Sequence, residues 1–355
     1  MRAQTRDLVA REAKLEAVQQ QLTASVSALV TGEDWKRALE FAARFRSRSF
    51  NNTMLIHVQH HAAFQQGRVP EPMPTYVAGF RHWLSVNRHV VKGQSGYAIL
   101  APVTARFASS TPGTAESWRR LGRGETPASR EVVRSRLVGL KPAHVWDICQ
   151  TDGDPIPQTP HPSLLEGQAP AGLWDGLANQ VTEHGFELRL VADAAAIGGA
   201  NGRTDYTTHQ VSVRTDMDDA ARVKTLAHEL GHVMLHGPGN ADAGMHRGIA
   251  EVEAESVALM VGAAHGLDTS AYTVPYVSSW ASSVAGRSPV EVVQSTAQRV
   301  QAVAVRILDQ LNTAQVGDGN PPGLDRDALA ARRSPDRVQA TAPRPVHELG
   351  LGLGL

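Results

Sequence analysis

The segment Thr225–Gly237, TLAHELGHVMLHG, decides how the second half of the chain folds and what it can bind. His228 and His232 are four residues apart, so on a helix their side chains lie on one face, one turn apart. Two imidazoles in this arrangement can bind a single tetrahedral cation such as Zn²⁺. Glu229 would lie beside the open position of that cation, where a carboxylate can take a proton from an activated water. The segment therefore predicts a zinc site with Glu229 as its general base.

A site of this kind needs a third protein ligand. The chain has one cysteine, Cys149, so a thiolate cluster is excluded and a carboxylate is expected. In the downstream run EVEAESVA, Glu251 and Glu255 share one helix face while Glu253 points elsewhere. We predict that Glu251 is the third ligand and that Glu255 accepts a hydrogen bond from a ligand imidazole. Glu253 is the main alternative ligand, because the phase of this helix is inferred.

Three further features surround the predicted site. His236 lies two turns from His228, roughly 12 Å along the helix axis, too far to share the ion, so it is expected to stabilise the helix C-terminus. The stretch GGANGRTDYTTHQVSV, residues 198–213, predicts a hairpin whose edge could receive an extended peptide. Its Tyr206 is either an oxyanion donor or an ordinary strand tyrosine. A site of two histidines and a glutamate also accepts manganese or cobalt.

The rest of the sequence predicts an α+β protein. Apolar spacing indicates helices over residues 6–30, from Trp35, from Ser49 or Asn51, around Trp83, and over 173–184, 219–236, 251–266 and 289–311. Strands are predicted at 97–103 and 136–149. The stretch 108–131, rich in Ser, Thr, Pro, Gly and Arg, predicts a surface insertion between them.

The length of 355 residues fits two or three packed domains. Clustered turn residues in QTDGDPIPQTPHP place the boundary between two of them. The predicted division is an N-terminal helix (1–29), a first domain (30–157), a second domain (165–312) and a disordered tail (313–355).

Charge is zero overall but unevenly spread. Residues 31–106 contain ten Lys/Arg and four acidic residues, a balance of +6. This asymmetry predicts a surface that faces a polyanion, with a solvated basic face as the alternative. The N-terminal stretch has no secretory h-region, and no run approaches ~18 apolar residues, so we expect a cytoplasmic protein without a membrane span.

Two parts of the chain resemble known families. Over about residues 170–270, HELGH, MLH and EVEAESVA resemble the ImmA/IrrE-type gluzincin peptidases, in which a glutamate of an ExExN-like helix supplies the third ligand. Glu251 matches that glutamate, whereas Glu255 stands at the family's usual asparagine. Residues 30–157 resemble the N-terminal ssDNA-binding domain of ArdC-type antirestriction proteins, in Trp35, SFNN (49–52), GFRHW (79–83), VVKG (90–93) and YAILAPV (97–103).

The resemblance implies an N-terminal helical/β ssDNA-binding domain followed by a gluzincin-like metallopeptidase domain. Basic side chains would bind phosphates and rings would stack on bases. The candidate contacts to single-stranded DNA are Arg46, Arg48, Asn51, Asn52, Trp83, Arg88 and Lys92.

The function expected from these features is that of an antirestriction-type protein of a mobile element, with a zinc metallopeptidase that cuts an unidentified protein or peptide. The alternatives are an ssDNA-binding protein with a non-catalytic zinc site, and a regulatory protease that cleaves a repressor.

Overall fold

Helices provide most of the regular structure, and the strands form small sheets beside them. The computed structural model of the protein describes residues 2–156, 167–237, 247–270, 272, 277–282, 284 and 286–322. The first half of the chain contains α1 (Arg2–Ser27), α2 (Gly32–Arg44), α3 (Phe50–Gln65), β1 (Val77–Ala78), α4 (Phe80–Ser85), β2 (Arg88–Val90), β3 (Tyr97–Ser109), β4 (Arg119–Arg120), β5 (Val132–Asp147) and β6 (Thr151–Gly153). The second half contains α5 (Leu173–Glu183), β7 (Glu187–Val191), β8 (Gly202–Asp205), β9 (Gln210–Arg214), α6 (Asp219–Leu235), α7 (Arg247–Ala264), α8 (Val277–Ala281) and α9 (Pro289–Asp309). The α+β class predicted from the sequence is confirmed.

Polar side chains fix where several helices begin. Thr31 and Asp34 form a capping box, so α2 begins three residues before the predicted start at Trp35. Ser49, one of the two residues predicted to begin α3, caps that helix, and Asp218 caps α6. None of the described helices combines the length and apolar character that a membrane crossing needs.

The first sheet has the order β1-β5-β3-β4 and is dominated by one long antiparallel pair. β3 and β5 pair from Tyr97 opposite Val145 to Ser109 opposite Val132, with a bulge between Val103 and Thr104. An insertion does lie between these strands, as predicted. The strands themselves extend further into it than predicted, because β3 ends at Ser109 rather than at 103 and β5 begins at Val132 rather than at 136. Pairing with β5 continues β3 beyond the segment whose composition suggested a strand. We call residues 102–142 the basic hairpin.

The second sheet lies next to α6 and has the order β7-β9-β8. β8 and β9 form the predicted antiparallel hairpin, while β7 runs parallel to β9. β8 is consequently an edge strand. A separate small pair is formed by β2 and β6.

The two predicted domains share one hydrophobic core. Trp35 of α2 is fully buried, donates a hydrogen bond from Nε1 to Oγ of Ser256 in α7 at 2.9 Å, and packs edge-on against Trp280. The described residues up to 322 form one compact unit. Most of the predicted boundary lies outside the described residues, and the division into domains stays a prediction.

The chain beyond α9 packs against both halves of the protein. The Val316 amide donates to the Ala264 carbonyl at 2.8 Å, and the Val77 amide donates to the Gly319 carbonyl at 2.9 Å. Gly319 has φ +85°, and a Cβ there would overlap the ring of Phe45. The predicted disordered tail was therefore wrong for residues 313–322, because backbone hydrogen bonds and burial hold them. Residues 323–355 lie outside the described part of the chain.

Candidate metal centre

His228, His232 and Glu251 meet where α6 and α7 pack together. The Nε2 atoms of the two histidines are 3.1 Å apart. Glu251 Oε2 lies 3.6 Å from the first of these nitrogens and 3.7 Å from the second. These ligand atoms form a group, within 4.8 Å of one another, that could hold a metal ion. The structure thus brings together the three ligands that the sequence predicted.

The spacing of the three atoms can be compared with that of a tetrahedral metal site. Bonds of ~2.0–2.2 Å at the tetrahedral angle place two ligand atoms about 3.3–3.6 Å apart. The distances here, 3.1, 3.6 and 3.7 Å, lie within about 0.2 Å of that range. Two histidines and one carboxylate also leave the fourth position open. The residues present therefore fit a divalent cation with room for a further ligand.

Small residues allow α6 and α7 to approach closely enough for this. A Cβ on Gly231 of α6 would lie 3.2 Å from Cα of Ala254 and 3.4 Å from Cβ of Val257 in α7. Ala254 is fully buried, and so is Ala258 one turn further along α7. Small side chains at these positions therefore permit close packing of the two helices.

Glu229 lies between α6 and β8. It is only 5% exposed, and its Oε2 accepts a hydrogen bond of 2.6 Å from Oγ1 of Thr204. A Cβ on Gly202 would come within 2.7 Å of Glu229 Oε1, so only glycine lets β8 run this close. The carboxylate is therefore held in one place beside an edge strand, which suits a general base that acts on a peptide bound along that edge.

Glu255 contacts the outer nitrogen of one ligand. Its Oε2 lies 3.2 Å from Nδ1 of His228, and its Oε1 lies 3.0 Å from Nζ of Lys224. If Nδ1 donates to Glu255, the lone pair of Nε2 faces the metal position, as the sequence analysis proposed for this glutamate. Burial opposes the charge of Glu255, but contacts with His228 and Lys224 lower its pKa.

Neighbouring carboxylates also control the charge of His228. Burial alone would lower its pKa, yet Glu251 and Glu255 outweigh that effect and raise the pKa to about 9. Conversely, His228 and His232 hold the pKa of Glu251 well below its usual range. A metal ion would displace the proton from this imidazole, so binding is expected to release protons.

A second chain of contacts supports the other ligand. His232 Nδ1 lies 3.0 Å from His236 Nδ1, and His236 Nε2 lies 3.0 Å from Glu253 Oε2. Arg299 of α9 forms an ion pair with the other oxygen of Glu253. Glu253, the main alternative ligand, is thus placed away from the metal position. His236 ends α6, as expected, but its ring also holds the ring of His232, a role that the sequence analysis missed.

Tyr206 supports the same helix. Its hydroxyl donates a hydrogen bond of 2.9 Å to the carbonyl oxygen of His232. Burial and the charges of Glu229 and Glu251 raise its pKa to about 12, so the hydroxyl stays protonated. In this arrangement Tyr206 is an ordinary structural tyrosine, the second of the two interpretations drawn from the sequence.

Two of the predicted DNA contacts lie inside the protein. The ring of Trp83 is fully buried, and its Nε1 donates to the carbonyl oxygen of Trp146. Arg88 is 9% exposed, and its guanidinium donates to the Thr151 side chain and to backbone carbonyls of β6. A buried ring cannot stack on a base, and this guanidinium is already bound to protein oxygens. The prediction that Trp83 and Arg88 contact ssDNA is therefore wrong for this structure.

Other predicted contacts also bind the protein itself. Arg46 donates to carbonyl oxygens of residues 316–317, and Arg48 donates to a carbonyl oxygen of β1. Asn52 uses its amide on both backbone groups of Leu100, at 3.0 and 2.9 Å. These side chains have structural partners that positive charge and polarity in the sequence do not reveal.

Asn51 and Lys92 are the more accessible candidates. Asn51 is half-buried and accepts a hydrogen bond from Gln298, while Lys92 is exposed. Contact between either residue and ssDNA stays a prediction.

Comparison with known proteins gives distant matches. No family model matches the sequence. An uncharacterized protein of Bacillus anthracis is 24% identical over 270 residues, which is 70% of this chain and 43% of that protein. The chain thus spans less than half the length of this curated relative.

Two solved structures of the antirestriction ArdC protein from the R388 plasmid are also similar. The metal-free structure matches with a TM-score of 0.44 and the Mn(II)-bound one with 0.41, both at 18% identity and over 74% of this chain. The match covers 84% and 88% of those chains. The resemblance to ArdC-type proteins that the motifs indicated is therefore confirmed as a resemblance. The ImmA/IrrE resemblance stays a prediction.

Proposed function

We propose that the protein is an antirestriction-type, ssDNA-binding protein that carries a metal-dependent peptidase centre. The observation that carries the peptidase proposal is the triangle formed by His228, His232 and Glu251. The buried carboxylate of Glu229 lies on the same helix, α6, as the two histidines. The cytoplasm is its proposed compartment. Zinc is the proposed metal, and manganese, which is bound in one of the two similar ArdC structures, is the first alternative.

The chain's own residues have separate tasks in this proposal. His228, His232 and Glu251 would hold the cation, which, when bound, lowers the pKa of a water to ~7 and polarises a carbonyl group. Glu229 would accept the proton of the attacking water and deliver it to the leaving nitrogen. Thr204 holds Glu229 through the bond of 2.6 Å, and β8, as an edge strand, would align an extended peptide along the side that faces away from β9.

The proposal of ssDNA binding has different support. The ArdC name of the similar structures agrees with the motifs in residues 30–157, and residues 31–106 carry a balance of +6. Phosphate binding by Lys and Arg would make the affinity fall steeply as salt is added. This salt dependence distinguishes the proposal from a regulatory protease whose front half recognises protein.

The test measures metal content, casein hydrolysis and ssDNA affinity on the same preparations of the full chain. The variants are Glu229→Gln and Glu251→Gln, with the exposed Glu183→Gln as a matched control. We expect wild type, control and Glu229→Gln to hold one metal ion, and Glu251→Gln to lose it. Hydrolysis should need both Glu229 and Glu251, whereas ssDNA should bind to all four proteins.

Two outcomes would change the proposal. If the wild-type protein holds no metal, the proposal of a metal-dependent peptidase fails. If wild type holds metal but does not hydrolyse casein, or if hydrolysis is unaffected by Glu229→Gln, a non-catalytic metal site is favoured.

A further inference from the structure

The basic hairpin concentrates positive charge that acidic side chains leave largely unneutralised. Residues 102–142 contain eight Lys/Arg, three Glu and no Asp, a balance of +5. Two of the three glutamates, Glu125 and Glu131, are bound by Arg119 alone. Within the described residues, no ion pair involves Arg120, Arg134 or Arg136. The hairpin therefore presents several cations without acidic partners.

The strand register places these cations on one face. Phe107 lies opposite Arg134 in β5 and opposite Arg120 in β4, while Ala105 lies opposite Arg136. Residues directly opposite each other in an antiparallel pair point to the same side of the sheet. This face therefore combines three guanidinium groups with the ring of Phe107.

Trp118 holds two of the guanidinium groups in position. The guanidinium carbon of Arg134 lies 5.0 Å from the Trp118 ring centre, and that of Arg136 lies 4.9 Å from it. Arg136 also lies 5.4 Å from the ring centre of Phe107. Such cation–π contacts restrict the side chains while their N–H groups remain available to an anion. The two arginines are i and i+2 on β5, about 6.6 Å apart along the strand.

Apolar side chains beside the arginines indicate that the anion has flat rings as well as phosphates. Val132, on the same face, is 44% exposed, and Trp118 and Phe107 are half-buried. Unpaired bases can pack on rings, apolar side chains and guanidinium planes, whereas the bases of a duplex are stacked on each other. This combination fits a single strand better than double-stranded DNA.

We propose that this face of the basic hairpin, which carries Arg120 together with Arg134 and Arg136 braced by Trp118, is a binding surface for single-stranded DNA. The inference rests on the proposed ssDNA binding and gives it a location. It also replaces Trp83 and Arg88, which are buried, with residues that are exposed in the structure.

The test compares the full-length double variant Arg134→Gln/Arg136→Gln with Arg189→Gln/Arg306→Gln. The control loses the same charge from two exposed arginines in β7 and α9. Anisotropy of a fluorescein-labelled oligothymidylate gives the affinity between about 50 and 200 mM salt. We expect the hairpin variant to bind on the order of tenfold more weakly, with a salt slope shallower by about 1.4, the value for two lost contacts to single-stranded phosphates. The control should match wild type.

A further variant separates the positioning of the arginine side chains from their charge. Trp118→Leu keeps every cation and removes the brace, so we expect a weaker affinity with most of the salt slope retained. Circular dichroism melting checks that each variant is folded.

The outcomes separate the two levels of the proposal. If wild type binds ssDNA and the hairpin variant binds equally well, the basic hairpin is not the surface and the proposed function stands. If wild type does not bind ssDNA at all, the proposed function fails as well. An equal loss in the control would also overturn the location, because it would reflect net charge alone.

Discussion

Replacement of His236 by alanine tests whether ligand orientation, rather than ligand identity alone, determines metal affinity. The substitution removes two contacts of 3.0 Å, one to Nδ1 of His232 and one to Oε2 of Glu253. Glu253 keeps its ion pair with Arg299, so no unpaired buried charge is left behind. Loss of a group that orients a ligand imidazole typically lowers metal affinity by about 10–100-fold, or about 1.4–2.7 kcal/mol.

The assay is a Zn²⁺ competition titration against a chromophoric chelator, with thermal melting of the metal-free protein recorded in parallel. His184→Ala is the matched control, because His184 also ends a helix, α5, and its Nδ1 bonds only a carbonyl oxygen of that helix. We expect the control to bind Zn²⁺ as wild type does. A His236→Ala protein with unchanged affinity and an unchanged melting curve would refute the idea that His236 orients His232.

Three further predictions concern the base, the core and pH. Gly202→Ala places a Cβ 2.7 Å from Glu229 Oε1, so we expect hydrolysis to fall at least about tenfold while metal content is retained; parallel loss of metal would contradict this. Trp35→Ala should lower the free energy of unfolding, measured in urea, by about 3–5 kcal/mol. For Trp118→Ala, at a half-exposed position, we expect a decrease of less than about 1 kcal/mol. Equal decreases would show that Trp35 is not central to the core. Burial lowers the pKa of His60, whose ring contacts Tyr97 and a backbone carbonyl. Its stabilisation is therefore present above its unfolded pKa of about 6.5 and is lost as pH falls towards the folded pKa; melting at pH 5–7 should show a smaller loss in His60→Gln than in wild type.

The relation between the two candidate histidine ligands could be predicted because it is local: His228 and His232 are one helical turn apart. The choice of Glu251 over Glu253 depended on the phase of a second helix, which the packing of α7 against α6 shows directly. The support of His232 could not be predicted in the same way, since Arg299 lies 46 residues from Glu253 along the chain and meets it only through packing of α9. The sign of this support in the sequence was the spacing of the histidines: His232 and His236 follow His228 at i+4 and i+8, so the three lie on one side of the helix.

The proposed DNA contacts were harder to infer from the sequence because positive charge does not report burial. Arg88 and Arg46 look like surface cations in the sequence, yet their guanidinium groups hold backbone carbonyls. The basic hairpin was missed in the sequence for a different reason, because its composition suggested a loop rather than paired strands. Its Ser, Thr, Pro and Gly content indicated a loop, whereas the register between β3 and β5 extends the strands to Ser109 and Val132.

The hydrogen bond from Trp35 to Ser256 has a consequence for how this chain can be divided. Ser256 lies one residue after Glu255 and five after Glu251, so the side of α7 opposite the candidate ligands rests on the front half. A fragment that begins after residue 165 would expose Trp280 and the apolar side of α7 to water. The half that carries the candidate metal centre, taken alone or joined to a foreign front half without an equivalent of Trp35, would lose the packing that Trp35 provides against α7. We therefore expect the two halves to fold properly only when they are expressed as one chain.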